Sequence, residues 1–181
     1  MTPALAGLVG GPDVGGRTTT AVEGILAGAA KAGATTSLLE ISQVSQEEIA
    51  AAFEAADGVV LGSPVYRASF SALLRTALEG TERGRWGEKT APLQGKVAAT
   101  VLTGASAHHF LAVNDLRNVL ASFFAVQVLS PGLYFDHAGY VDRTTLTEDS
   151  ATLAAAHGAA LADLARAVRG SAALQAITPQ I

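Results

Sequence analysis

Cysteine is absent from the 181 residues of this chain. That removes disulfides, thiolate nucleophiles, Cys-ligated zinc and iron–sulfur clusters together. Charge is sparse: Asp, Glu, Lys and Arg make up 15% of the residues, and the formal net charge is -4. The basic residues are scattered, which argues against nucleic acid or an anionic membrane surface as the main partner. No apolar run is long enough to span a bilayer, and no basic region followed by an apolar stretch marks a signal peptide. A cytoplasmic protein is the resulting expectation. Hydrophobic residues, by contrast, make up 49% of the chain, so disorder is not expected. This length suits one domain with a sizeable core. We expect it over residues 1–181, with a core at about 4–170 and a tail at 171–181.

Short apolar runs alternate with longer helical stretches. Leu5 to Val9 reads as a buried strand opening into Gly10-Gly11-Pro12. Ala-rich Thr18 to Ala32 reads as a helix ended by Gly33. Thr36 to Glu40 follows as a strand, then Gln46 to Ala56 as a helix, with Ser45 and Glu48 spaced for a capping box. Gly58 to Leu61 is a third strand, ending at Gly62-Ser63-Pro64, and Ser69 to Leu78 a third helix. Lys96 to Leu102 is a strand and His109 to Phe124 a helix. Val126 to Leu129 is a fifth strand, with Leu133 to Phe135 as a candidate continuation, and Leu146 to Val168 holds the last helix. Strands alternating with helices imply parallel βαβ units with right-handed crossovers. Continuous apolar strands imply helices on both faces of the sheet. The long irregular stretch Gly80 to Gly95 carries Arg83, Arg85, Trp86 and Lys89. A loop of that length is usually functional or mobile.

In open parallel sheets, ligands bind outside the carboxyl ends of the strands. Three such ends stand out: Gly10 to Thr20, Gly62 to Arg67, and Thr103 to His109. The first is glycine-rich and opens a helix, so backbone N–H groups and the helix dipole favour a phosphate there. Arg17 adds charge, and Thr18, Thr19 and Thr20 add hydroxyls. A Gly-rich turn with N-cap threonines is the plainer alternative. A dinucleotide fingerprint fails because Pro12 stands where its second glycine is due. Gly11 to Thr18 approaches a Walker pattern, but Arg17 replaces the lysine and no acid closes the third or fourth strand to hold magnesium. In the second loop, Pro64 fixes the backbone and Tyr66 stands at the ligand edge, a flat aromatic suited to a flat ring. The third loop, Thr103-Gly104-Ala105-Ser106, is small and rich in free N–H groups. It suits a polar ring edge where negative charge develops. His108 and His109 point about 100° apart on a helix, which disfavours a shared metal.

With these loops in view, the chain resembles the NAD(P)H-dependent FMN reductase family, and in particular the reductases of two-component alkanesulfonate and methanesulfonate monooxygenases. The resemblance runs from about Leu5 to about Phe135. Ser63-Pro64-Val65-Tyr66-Arg67-Ala68 carries it most specifically, followed by Leu93-Gln94-Gly95-Lys96-Val97, Thr103-Gly104 and His109-Phe110-Leu111-Ala112-Val113. It implies a flavodoxin-like three-layer α/β/α sandwich on a five-stranded parallel sheet of order 2-1-3-4-5. It further implies FMN and NADPH or NADH as cofactors, a homodimer or homotetramer, and a flavin-dependent monooxygenase as a partner. By this likeness Arg17, Thr18 and Thr19 hold the FMN phosphate. Pro64, Val65 and Tyr66 line the flavin ring, and Thr103, Gly104, Ala105 and Ser106 contact its pyrimidine side. Arg67, Arg83 and Arg85 are candidates for a dinucleotide phosphate, with solvated surface charge as the alternative.

The chain also departs from the family pattern. Relatives read Gly-Ser-Pro-Arg where this chain has Gly10-Gly11-Pro12-Asp13, and Ser where it has Gly16. Two hydroxyls and a cation are missing, so looser phosphate capture is expected. Val113-Asn114-Asp115-Leu116 lacks the inserted tyrosine that makes a π-bulge in sulfonate-system reductases. An FMN-bound quinone or azo reductase and a non-enzymatic flavodoxin-like electron carrier are the competing functions.

Overall fold

A computed structural model describes residues 2–180. A seven-stranded sheet runs through it. Its parallel spine consists of β1 (Ala4–Val9), β2 (Thr35–Glu40), β3 (Gly58–Tyr66) and β5 (Val97–Thr103), with β6 (Gln127–Val128) and β7 (Leu133–Phe135) sharing the place beyond β5. The order β2-β1-β3-β5-β6 keeps the expected arrangement, because β4 (Ser69–Phe70) is only a hairpin arm on β3. Successive strand residues feed opposite layers. Leu5, Val9, Val60 and Val101 pack under α1 (Arg17–Lys31) and α5 (Glu148–Arg169). Leu8, Leu61 and Leu102 pack under α2 (Gln46–Ala55), α3 (Ala72–Glu79) and α4 (Val113–Asn118). Both faces are buried, which is why these strands read as unbroken apolar runs rather than as alternating ones.

Local signals set most boundaries. Ser45 and Glu48 form the expected capping box of α2. Lys96 donates from Nζ to the backbone carbonyls of Phe53, Glu54 and Ala56, placing a cation on the C-terminal end of α2. Burial pushes the Lys96 ammonium below its ordinary pKa. Helices α1 and α5 touch backbone to backbone. A Cβ on Gly158 would lie 1.8 Å from the Ile25 carbonyl oxygen, and one on Gly28 would lie 2.1 Å from that of Ala155.

Several elements differ from the expectation. β3 continues to Tyr66 instead of ending at Leu61, then turns back through Arg67 and Ala68, both left-handed at φ 53° and 64°. Two successive positive φ values are what a tight two-residue hairpin needs. Helix α3 therefore starts three residues later than expected, at Ala72, with the Ser71 hydroxyl accepting from the Leu74 N–H. The helix expected over His109 to Phe124 is three pieces: a 3-10 turn at Ala107–Ala112, α4, and a π-turn at Val119–Phe123. Val126 N–H closes it onto the Leu120 carbonyl (3.0 Å), and the chain leaves through Ala125, left-handed at φ 57°. A π-turn is thus present without the inserted tyrosine, six residues beyond Val113. Unforeseen strands β8 (Tyr140–Asp142) and β9 (Thr145–Leu146) form a hairpin. Past Gly170, where a tail was expected, Ser171 caps a short helix α6 (Ala172–Gln175). Arg85 then donates to the Thr178 hydroxyl (2.9 Å) and the Pro179 carbonyl.

Replacing a helical glycine by alanine ordinarily stabilises by about 0.5–1 kcal/mol. At Gly158 the clash with Ile25 reverses the sign. Gly158→Ala is expected to lower stability by about 1–3 kcal/mol in urea denaturation, as overpacking does. A neutral or stabilising result would contradict the contact.

Candidate functional site

The parallel strands end together. Val9 lies opposite Gly62, and Pro64 opposite Thr103, so the loops after β1, β3 and β5 stand side by side. Ser71 binds two of them. Its hydroxyl donates to the Gly10 carbonyl (2.5 Å), while its N–H donates to the Ser63 hydroxyl (2.8 Å). The three loops enclose an open cavity of about 310 Å³.

The cavity floor is the start of α1. Gly16 occupies the N-cap and brings no side-chain acceptor. The helix ladder begins with the Thr20 N–H donating to the Gly16 carbonyl (3.0 Å), which leaves the N–H groups of Arg17, Thr18 and Thr19 outside it. The threonine hydroxyls are engaged elsewhere. Thr18 and Thr103 pair Oγ1 to Oγ1 at 2.8 Å in a buried contact. Thr19 donates to Glu40 Oε1 (2.7 Å), which also accepts the Gly15 N–H (3.1 Å), and Thr20 donates to the Gly16 carbonyl (3.2 Å). Glu40, at the end of β2, therefore fastens the loop from behind. Arg17 lies 5.7 Å from the ring centroid of Tyr140, and its buried Nε has no partner.

Pro64, Val65 and half-exposed Tyr66 form one wall. Thr103, Gly104 and Ala105 form the opposite one. Gly104 is a steric requirement, since a Cβ there would lie 1.9 Å from the Tyr134 hydroxyl oxygen. That hydroxyl donates to the Ser106 carbonyl (2.7 Å) and shapes the loop. Burial pushes the Tyr134 phenol up, with Asp136 adding to the effect. His137 and Arg143 complete the rim, and Arg143 Nη2 meets Asp13 Oδ2 at 3.2 Å.

Of the residues expected at the site, Arg17, Thr18, Pro64, Val65, Tyr66, Thr103, Gly104 and Ala105 line this cavity. The side chain of Thr19 turns instead to Glu40, and Ser106 is not among the residues lining the cavity, its hydroxyl lying 3.4 Å from His108 Nδ1. His137 and Arg143 carry no motif and were missed. Arg83 and Arg85 serve other contacts. Arg83 stacks 3.8 Å from the Phe123 ring centroid, and Arg85 holds residues 178–179. The long loop itself is built on two carboxylates. Glu88 accepts the N–H groups of Arg83 and Arg85, and Glu82 accepts those of Lys89 and Thr90 and the Thr90 hydroxyl. These bonds hold both carboxyls below their ordinary pKa, through the Thr90 hydroxyl first for Glu82 and the Arg83 N–H first for Glu88.

A larger cavity of about 480 Å³ lies between α3 and the π-turn, lined by Phe70, Arg75, Phe123 and Phe124 among others. Arg75 already stacks on Phe70 (4.5 Å) and Arg83 on Phe123. The smaller cavity is the better candidate of the two, because it combines the ends of three strands with a helix N-terminus. Its donors suit a phosphate, its tyrosine a flat ring, and its Gly104 loop a polar ring edge. A phosphorylated planar cofactor therefore fits these residues.

Comparison with known proteins agrees. The family profile described as NADPH-dependent FMN reductase matches residues 3–139. A curated relative from Escherichia coli (strain K12), "FMN reductase (NADPH)", is 36% identical over 89 residues, which span 48% of this chain and 42% of that relative. Among solved structures, an apo NADH:FMN oxidoreductase superposes with a TM-score of 0.78 at 18% identity, covering 96% of this chain and 94% of that one. An archaeal flavodoxin gives 0.65 at 15% identity, covering 90% and 99%. These two share the fold.

Tyr140 ties the rim to the floor: its hydroxyl donates to the Arg17 carbonyl (2.9 Å), and its ring meets Phe135 edge-on. Burial pushes its pKa well above the ordinary tyrosine value, with the Arg17 charge opposing. The folded state thus holds this proton more tightly than the unfolded chain, whose tyrosines ionise near about 10. The contribution to stability is complete below about pH 10 and is lost as pH rises above it. Denaturation midpoints of the wild type should fall above about pH 10 more steeply than those of Tyr140→Phe. Parallel curves would contradict the assignment.

Proposed function

The chain belongs to the NADPH-dependent FMN reductase family, and on that premise we propose that it is an NAD(P)H-dependent FMN reductase, moving hydride from NADPH or NADH to FMN. The observation that carries this reading is the meeting of an uncapped helix start, an exposed tyrosine and a glycine-bearing N–H loop around one cavity. Bound FMN supplies the ring that accepts the hydride, so the protein contributes binding, orientation and electrostatics rather than a nucleophile or base.

In this proposal the backbone N–H groups of Arg17, Thr18 and Thr19 hold the phosphate, with Arg17 adding charge. The Thr19 hydroxyl takes no part while Glu40 accepts from it. Pro64, Val65 and Tyr66 cover a face of the ring and keep water from it. Thr103, Gly104, Ala105 and Ser106 contact its pyrimidine edge. The Gly104 N–H is given to the Phe135 carbonyl (3.0 Å), so the backbone donors of Ala105 and Ser106 favour the negative charge of reduction there. The Thr18–Thr103 contact ties the phosphate end of the site to the ring end.

Three features support FMN as a substrate that comes and goes. Gly16 offers no hydroxyl to a phosphate, Asp13 puts a carboxylate on the phosphate side, and Tyr66 is 52% exposed. Reduced flavin that leaves the protein needs a consumer, and the resemblance to two-component systems supports a flavin-dependent monooxygenase as that partner. The same resemblance supports a homodimer or homotetramer.

The test is an FMN titration followed by NADPH and NADH oxidation with and without free FMN. Oxidation should saturate with added FMN. Tyr66→Ala should raise the FMN concentration for half-maximal rate about tenfold, the scale of one lost aromatic contact. No FMN binding and no FMN-dependent oxidation would overturn the reading. A steady rate with a quinone and no free flavin would favour a quinone reductase instead.

A further inference from the structure

We propose that Arg143, on the β8–β9 hairpin, is a phosphate ligand of this cavity, and that the Asp13 carboxylate holds the place which a phosphomonoester takes. The proposal rests on the flavin reading above and deepens it. The hairpin lies just past residue 139, where the family match stops.

The donors at the helix start show what is missing. Thr19 and Thr20 spend their hydroxyl protons on Glu40 and the Gly16 carbonyl, and the Thr18–Thr103 pair uses one of its two protons internally. The Gly15 N–H is also taken by Glu40. Gly16 has no hydroxyl to give. The phosphate end of the cavity is left with backbone N–H groups and two cations, Arg17 and Arg143. A dianion held only by Arg17 and the helix start would face the Asp13 carboxylate uncompensated.

Arg143 is placed to supply the second charge. Its Nη2 lies 3.2 Å from Asp13 Oδ2 and 3.6 Å from the point that a Cβ on Gly16 would occupy. The guanidinium therefore lies against the N-cap of α1. A Cβ at position 16 would sit in ordinary van der Waals contact with both Arg143 and Asp13, so the guanidinium packs directly beside the helix start. Gly16 brings no hydroxyl of its own to the helix start, and the donor beside it is the charged, forked guanidinium of Arg143.

The hairpin presents Arg143 from a fixed frame. Asp142 accepts the Thr144 N–H (2.8 Å) and the Thr145 hydroxyl (3.1 Å), which builds the turn on either side of Arg143. Those bonds hold the Asp142 carboxyl below its ordinary pKa, the Thr144 N–H first. Tyr140 anchors the base of the hairpin to the Arg17 carbonyl. Ligand charge at Arg143 is thus coupled to the first turn of α1 through one short path.

The Asp13–Arg143 pair is easily exchanged. Its side chains are 73% and 60% exposed, and surface ion pairs contribute little net stability. A phosphate dianion at a helix N-terminus makes stronger, charge-assisted contacts with a guanidinium. Asp13 therefore acts as a competitor. It occupies Arg143 when no anion is bound, and it weakens capture of the anion that displaces it.

Flavin fluorescence titrations with FMN and riboflavin separate this from other effects, because the two flavins differ only in the phosphate. Arg143→Gln should weaken FMN about tenfold and leave riboflavin unchanged, while Arg143→Lys should keep part of the FMN affinity. Asp13→Asn should tighten FMN several-fold, and much less when combined with Arg143→Gln. Inorganic phosphate gives a flavin-free readout: it should raise the melting temperature of the wild type more than that of Arg143→Gln. Arg143→Gln that binds FMN like the wild type, or that loses FMN and riboflavin equally, would overturn the proposal. Wild-type protein that binds neither flavin would overturn the flavin reading and this proposal with it.

Discussion

Every α-helix begins with backbone N–H groups that its own ladder cannot satisfy. In α1 those groups belong to Arg17, Thr18 and Thr19, and the fold declines to cap them. Gly16 contributes no oxygen, and the neighbouring hydroxyls are turned to Thr103, Glu40 and the Gly16 carbonyl. The unpaired donors face the place where β1, β3 and β5 end together. Positive potential is thereby concentrated at the mouth of the sheet, and the surrounding loops are arranged around that need. Ser71 holds two of the loops, Tyr134 shapes the third, and Glu40 braces the first from behind.

This arrangement depends on how rigidly α1 is seated. Its inner side meets α5 without intervening side chains at Gly28 and Gly158, so the two helices are held at backbone contact. Val22 reaches the sheet at Gly62, where a Cβ would lie 2.3 Å from it. The helix start cannot drift far from the strand ends under such packing. The opposite layer is looser in its secondary structure. There α4 is bracketed by a 3-10 turn and a π-turn, and the chain leaves it through left-handed Ala125.

The sequence discloses those features that short-range chemistry decides. The five-stranded core pattern, α1 and the Ser45–Glu48 box follow from local apolar runs and capping spacing. The three ligand-facing loops were readable because each carries glycine, proline or small residues directly after a strand. Other features need tertiary information. The β3–β4 hairpin turns on left-handed Arg67 and Ala68, residues that seldom adopt that conformation. The Thr19 side chain looks like a phosphate donor until Glu40, twenty-one residues on, is seen to take its hydroxyl. His137 and Arg143 enter the rim only because the hairpin folds back over Arg17, which no local pattern announces. Arg83 and Arg85 look like anion ligands in the chain, yet they are spent on Phe123 and residues 178–179.

In the proposed mode of binding, the flavin phosphate is captured at the first turn of α1 and the ring lies between the Pro64–Tyr66 and Thr103–Ser106 loops. Amide-resolved NMR during an FMN titration tests it most directly. The N–H signals of Arg17, Thr18, Thr19, Ala105 and Ser106 should shift first and furthest. Shifts confined instead to Phe70, Asn118 and Phe123, around the larger cavity, would contradict it.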